Sequence, residues 1–299
     1  GVTTGQLSAI AEPGRVAGKL LDEPARLLGV PEGTPVCLGC NDQLAGALGV
    51  GNVEAGLVSE TTGTALAGIV TLAEPLEGAP VYLGNHAVPG LSYLMPYAQV
   101  SGVLLSWLRE WSRPSITIQE LLAQAEAVPA GSEGLLVLPG FEGVTLPKPI
   151  PRARGALLGL NLAHGRGHLA RAMVEATAYL LKDCLLPVTE SGVSVSEVRS
   201  LGRAAASGFW LQVKADVLGI PVEQPECPSA ASVGAAMLAA TGIGQFSSLK
   251  EASLAWHRPA RRFEPRDSEA ERYSRYYEKY RASCELLYAS GVGLGEGQE

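Results

Sequence analysis

At positions 35 to 49 the chain reads PVCLGCNDQLAGALG. Two chemistries are within reach of this stretch. Cys37 and Cys40 form a CxxC, a spacing used for zinc and for thiol redox work. Asp42, two residues on, offers a carboxylate for acid–base work. Residues three apart in a strand point to opposite faces, so these two thiolates could not share one ion. No second CxxC and no HxxxH supplies further ligands, and a redox CxxC opens a helix instead of lying in a strand. The pair therefore reads as inert strand filler, and no metal site is expected. Asp42 follows an apolar strand and opens a run of small residues. It is either a plain helix cap or a functional carboxylate. What favours function is the hairpin sequence SETTGTALAG that follows. A turn at Thr62-Gly63-Thr64 exposes backbone N–H groups and hydroxyls, which suits an anionic phosphate.

Other chemistries find less support. His86, His164, His168 and His257 show no ligand spacing, and HGRGHLAR lacks the Glu of a zincin helix. There is no GxSxG nucleophile elbow, no GxxxxGK[ST] P-loop and no GxGxxG after a strand. VGNVEAG and GVGLGEG merely contain glycines.

The elements that must position these residues can be read from periodicity and turn signals. A short helical pattern spans Arg15 to Leu28, and PVCLG reads as a buried strand. Asn41 or Asp42 caps the helix DQLAGALGVG. GLVSETTGTALAGIVTL is a tight hairpin, and PVYLGNHAV and LSYLMPYA continue the strand series. VSGVLLSWLREW is a helix with Ser101 as candidate cap, and SITIQELLAQAEAV is a second amphipathic helix. GLLVLPGF and RGALLGLNL are strands, and HLARAMVEATAYLLKDCLLPVTES is a long helix. VSEVRSLG is a strand, AASGFWLQVKADVLG and SAASVGAAMLAATGIG are helices, and IPVEQP is a short connection. HRPARRF reads as a solvated basic linker. EAERYSRYYEKYRASCELLYAS is a Tyr-rich helix lying across the surface, and GVGLGEGQE a frayed end. This order predicts an α/β domain with a mixed sheet flanked by helices, with ligands at the strand ends.

Composition narrows the partners. The chain has 299 residues, is 46% hydrophobic and 18% charged, and carries a net charge of −7. That is enough for a substantial core, and it lacks the basic stripe of a nucleic-acid binder. No apolar run reaches the roughly 20 residues that cross a bilayer, so no membrane association is expected. Five Cys, an odd number, fit a reducing cytoplasm better than a disulfide framework. The chain starts at Gly1 without a signal-peptide pattern, which reads as a processed chain or a fragment.

Taken in order, seven segments resemble the C-terminal half of the FGGY family of carbohydrate kinases, the xylulokinase, gluconokinase and glycerol kinase relatives. They are GTPVCLGCNDQLAGALGVGNVEAG, SETTGTALAG, VSGVLLSWLRE, LPGFEGVTLPKPIPRARGALLGL, LARAMVEATAYLLKD, LGRAAASGFWLQVKADVLGIPVEQP and SAASVGAAMLAATGIG. The resemblance runs from about Gly29 to Gly244. It implies the actin-like ATPase (ribonuclease H-like) fold, with ATP and Mg2+ as cofactors and a small sugar or polyol as substrate. It implies that Asp42 is the catalytic base and that Gln43 holds a substrate hydroxyl. Thr62, Gly63 and Thr64 carry over to the phosphate, Gly102 and Ser106 to the nucleotide side of the cleft. Gly202, Ala204 and Ser207 carry over to the adenosine pocket.

Three departures qualify this expectation. Arg203 stands where the family has a Gly: either it turns outward and stacks on adenine, the preferred reading, or nucleotide affinity is altered. FEGVTLP lacks a common Arg of the family. Nothing matches the D-x-G-[ST] motif of the family's first lobe, so that N-terminal kinase lobe is expected to be an absent partner. Residues 1–34 then read as a segment leading from that lobe, 35–265 as the nucleotide-binding lobe, and 266–299 as a C-terminal helix and tail. A homodimer is compatible with the sequence, and xylulose is the acceptor that family frequency suggests. The competing reading is a non-catalytic actin-like module that binds nucleotide or a partner.

Overall fold

A computed structural model describes residues 2–112 and 115–295. In chain order the elements are β1 (Val16–Lys19), α1 (Asp22–Leu28), β2 (Pro35–Cys37), α2 (Asp42–Gly49), β3 (Leu57–Thr62) and β4 (Leu66–Leu72). Then come β5 (Tyr82–Asn85), β6 (Ser92–Met95), β7 (Tyr97–Ala98), α3 (Val103–Ser112), α4 (Ile118–Glu126), β8 (Leu136–Leu138) and β9 (Ala156–Leu158). The last third holds α5 (Arg166–Glu190), β10 (Glu197–Leu201), α6 (Gly208–Leu218), β11 (Val222–Pro225), α7 (Ala230–Gly242), α8 (Leu249–Trp256), β12 (Pro259–Phe263) and α9 (Asp267–Ala289).

The main sheet has the order β12-β11-β10-β3-β4-β6-β5, with β7 added alongside β4. β3, β10 and β11 run parallel, and the remaining pairs are antiparallel. The sheet is mixed, as the alternation of patterns predicts, and helices cover both faces. On one face Val58, Val70, Val198 and Val222 pack with Leu181 and Cys184 of α5 and Leu211 and Ala215 of α6. On the other, Ile69 and Tyr93 pack with Leu44 and Leu48 of α2, Met237 of α7 and Ala252 of α8. Successive residues of a strand serve opposite faces, so Ile69 and Val70 belong to different cores. α5 is buried all round through most of its length, as befits a helix packed between the sheet and other helices.

Several local expectations change. Residues 16–19 form β1, so the helix of that region begins only at Asp22. β2 is not buried: it pairs with β1 in a separate two-stranded sheet, and Val36 is 43% exposed. Its strand ends at Cys37, which leaves Cys40 in the following loop. Alternation along a strand is therefore not what separates the two thiols. Burial does make Cys40 a poor nucleophile, raising its pKa to about 11. Ser101 does not cap α3, because among the described residues its buried hydroxyl has no hydrogen-bond partner.

IPVEQP forms β11 and HRPARRF forms the edge strand β12, with Val222 opposite Phe263 and Glu223 opposite Arg262. The basic run is no linker. Its alternation puts Arg262 beside Glu197 and Arg261 beside Gln224. α9 is also more than a surface helix. Tyr273, Tyr277 and Tyr280 are buried, and the hydroxyls of Tyr277 and Tyr280 donate to Asp183 of α5. Residues 291–295 are tied down by an Arg154 N–H to Gly293 O bond of 2.8 Å and a Gly295 N–H to Arg152 O bond of 2.7 Å. The rest of the expected frayed end lies outside the described residues.

Candidate active site

Asp42 owes its place to a close crossing of two helices. A β-carbon on Gly49 would lie 1.9 Å from the Ala230 carbonyl oxygen, and one on Gly234 would lie 1.8 Å from that of Ala45. Small residues thus let α2 and α7 pack backbone to backbone. Asn41, not Asp42, is the N-cap: its side-chain oxygen accepts from Leu44 N–H at 2.8 Å, while its Nδ2 donates to the Tyr93 hydroxyl at 3.0 Å. Asp42 is thereby released from capping Leu44. One oxygen accepts from the Gln43 N–H at 2.9 Å, and the side chain is exposed.

The carboxylate faces a cavity of about 220 Å³, lined by Asp42, Gln43, Ser59, Thr61, Gly202 and Cys227 among others. Gly202 also borders a second cavity of about 470 Å³. That cavity holds Thr62, Gly63, Thr64, Gly102, Ser106 and Ala204, with Arg203, Val103, Ile118, Leu122 and Trp210. The two form one trough along the ends of β3 and β10, split by Gly202.

The hairpin floor is held tightly. β3 and β4 pair from Val58–Val70 to Thr62–Leu66, leaving Gly63 to Ala65 as the turn. Ser101 N–H donates to Thr64 O at 2.9 Å, tying the turn to the start of α3. A β-carbon on Gly102 would lie 2.5 Å from Gly63 O, and one on Gly202 would lie 2.8 Å from Thr62 O. Gly202 has φ +81°, a left-handed conformation that favours glycine. Among the described residues the Thr64 and Ala65 amides have no hydrogen-bond partner. Two free N–H groups at a tight turn are suited to an anion.

Of the sequence-predicted residues, Asp42 and Gln43 meet in the smaller cavity, and Thr62, Gly63, Thr64, Gly102, Ser106, Gly202 and Ala204 meet in or on the larger one. Ser207 lies outside both. It caps α6, accepting from Trp210 N–H at 3.3 Å, and lines an adjoining groove that also contains Arg203, Arg109 and Phe209. Arg203 is exposed, between that groove and the larger cavity. Sequence patterns missed the apolar wall of Ile118, Leu122 and Trp210, although each lies on a helix whose apolar period was visible. They also missed Cys227, whose position in a loop carries no signal; burial raises its thiol pKa.

Beneath the turn lies a buried polar cluster that sequence inspection did not single out. Lys214 and Glu60 are paired with no side-chain exposure. Lys214 Nζ also donates to Thr62 Oγ1 at 2.9 Å and Ser200 Oγ at 3.1 Å. The available signal was two charges inside otherwise apolar runs, LVSETT and FWLQVKADVL. Among the described residues no group of three His, Cys, Asp or Glu side chains could hold a metal ion. No helix among them is long and apolar enough to cross a membrane.

The FGGY family of carbohydrate kinases, C-terminal domain, matches residues 58–243. A xylulose kinase of Bacillus subtilis is 31% identical over 284 residues, covering 94% of this chain and 57% of that protein. A glycerol kinase of Aromatoleum aromaticum is 37% identical over 167 residues, covering 56% of this chain and 33% of that protein. The crystal structure of xylulose kinase from Rhodospirillum rubrum superposes with a TM-score of 0.87 at 32% identity, covering 96% of this chain and 59% of that one. The chain thus spans little more than half the length of the two xylulose kinases.

Proposed function

The chain belongs to the FGGY family of carbohydrate kinases, and from that premise we propose that it is the C-terminal lobe of an ATP-dependent sugar or polyol kinase. The carrying observation is the trough in which the Asp42 carboxylate and the Thr62–Gly63–Thr64 turn line neighbouring cavities that share Gly202.

In this reading the triphosphate lies along the larger cavity, with its terminal phosphate toward Gly202. Ile118, Leu122 and Trp210 supply the apolar wall for a base, and the exposed Arg203 can stack on it. The acceptor hydroxyl sits in the smaller cavity against Asp42, and the Gln43 amide holds another hydroxyl. The hydroxyl oxygen bonds to the γ-phosphorus as the bond to the ADP oxygen breaks, and its proton passes to Asp42. A carboxylate suffices because the alcohol becomes acidic only as transfer proceeds. The rest of the acceleration comes from alignment and from donors facing the phosphate. Among the described residues no group of three His, Cys, Asp or Glu would hold Mg2+ by itself, so the ion would arrive with the nucleotide and would offset phosphate charge during transfer.

The acceptor site is expected to be completed by an N-terminal lobe. The layer formed by β1, α1 and β2 presents Val16, Leu21, Leu27, Leu28 and Val36 to solvent. Large apolar side chains gathered on one outer layer mark a surface that another body covers. The test is a panel of ketoses, aldonates and polyols assayed for ADP release with the complete polypeptide. Acceptor-dependent release supports the proposal. Nucleotide binding without release for any acceptor favours a non-catalytic module.

A further inference from the structure

Lys214 and Glu60 are an expensive pair to bury, since each loses its hydration and mutual attraction only partly compensates. Apolar residues of similar volume would stabilise the fold about as well, so stability alone does not explain them. Their hydrogen bonds are complete. Lys214 has three N–H donors, directed at Glu60 Oε1, Thr62 Oγ1 and Ser200 Oγ. Thr62 Oγ1 in turn donates to Glu60 Oε2 at 2.8 Å, and Ser200 Oγ donates to Glu60 Oε1. The Thr62 hydroxyl therefore has one fixed orientation, accepting from the ammonium and donating to the carboxylate.

The position of this cluster matters more than its strength. In the parallel pairing of β3 with β10, Glu60 lies opposite Ser200 and Thr61 opposite Leu201. The next residues are Thr62, the last of β3 before the hairpin turn, and Gly202, which begins the loop to α6. Glu60 and Ser200 sit two residues below Thr62 and Gly202, and the cluster joins β3, β10 and α6. Above it, Gly202 presses on Thr62 O and Gly102 on Gly63 O. The turn is gripped from two sides and anchored from below, leaving its Thr64 and Ala65 amides directed elsewhere. Lys214 also neutralises a carboxylate that would otherwise repel a phosphate above it.

We propose that Lys214 and Glu60 are positioning residues for the phosphate-binding turn, holding the Thr62–Gly63–Thr64 backbone in its anion-binding shape through the Thr62 hydroxyl. The proposal rests on reading the trough as the nucleotide site. Its test uses the complete polypeptide and the double variant Glu60→Leu/Lys214→Met, which removes both charges and leaves neither buried alone. Thermal stability is expected to stay near that of the parent protein. Amide hydrogen exchange over residues 61–65 is expected to speed up by about tenfold or more, the loss of charge-assisted bonds to Thr62. The KM for MgATP should rise by about the same factor while the KM for the acceptor stays put.

Thr62→Val removes the hydroxyl at constant shape and should also speed exchange at 61–65, with both charges in place. It serves as the deciding variant if the double variant does not fold. Parent-like exchange at 61–65 in the folded variant would overturn the proposal, and so would a parent-like KM for MgATP. If the parent protein neither binds nucleotide nor transfers phosphate, the kinase reading fails on its own. The exchange measurement still decides whether the cluster holds the turn.

Discussion

Gly202 lies so close to Thr62 that a β-carbon on it would sit 2.8 Å from the Thr62 carbonyl oxygen. This contact joins the loop after β10 to the hairpin after β3, and it divides the trough into the cavity of Asp42 and the cavity of the Thr62–Gly63–Thr64 turn. Most of the expected chemistry depends on backbone being able to come this near.

Gly102→Ala tests that closeness on the other flank of the turn. The added methyl would meet Gly63 O at 2.5 Å, and backbone cannot yield as a flexible side chain would. We expect a stability loss of about 1–3 kcal/mol and weaker nucleotide binding. Chemical denaturation and a calorimetric ADP titration read the two effects.

Gly234→Ala tests how Asp42 is placed. The methyl would fall 1.8 Å from Ala45 O, forcing α7 away from α2. A loss of about 3 kcal/mol or more is expected by denaturation, with activity lost along with it. Gly46→Ala is the contrast: nothing lies within 4 Å of its β-carbon. There the better helix propensity of Ala should raise stability by about 1 kcal/mol.

His86 should make the fold sensitive to mild acid. It is buried, and its Nδ1 accepts from Val88 N–H at 3.0 Å. Burial lowers its pKa from the usual 6.5 to about 4. Above 6.5 both folded and unfolded chains hold it neutral, and it has no effect. Between 6.5 and 4 the unfolded chain takes up the proton first, so stability falls as pH falls. The full effect is about 3 kcal/mol. Buried Glu175 and Asp183, whose pKa values burial raises, act in the opposite direction. Melting temperature against pH should therefore be compared with that of His86→Gln, which is expected to show a flatter acid limb.

Cys40→Ser and Cys37→Ser should leave phosphoryl transfer within about twofold of the parent. Cys40 is held as a thiol by burial, and Cys37 Sγ lies 3.9 Å from Ala239 O at the β2–α7 contact. A chelator-sensitive or oxidant-sensitive activity that disappears in these variants would restore a role for the CxxC.

What could be read in one dimension was local. Asp42, at the end of an apolar run before small residues, and the TTGT turn both carry signals confined to a few neighbours. The helices and the mixed sheet follow from periods of 3.6 and 2. Pairings between distant segments were hidden. HRPARRF looked like a linker because its partner, β11, is reached only across α7 and α8. Lys214 and Glu60 stand 154 residues apart, and only the fold reveals that each makes the other's burial tolerable. Asn41 took the cap that Asp42 could equally have filled, and the Tyr93 hydroxyl on a distant strand accounts for that choice.

The most direct measurement is steady-state phosphoryl transfer by Asp42→Asn in the complete polypeptide, beside calorimetric titration of nucleotide. The amide keeps the shape of the side chain and removes its capacity to take a proton. We expect kcat to fall by about 10²-fold to 10⁴-fold, with nucleotide affinity unchanged. Parent-like turnover would contradict the assignment of Asp42 as the base.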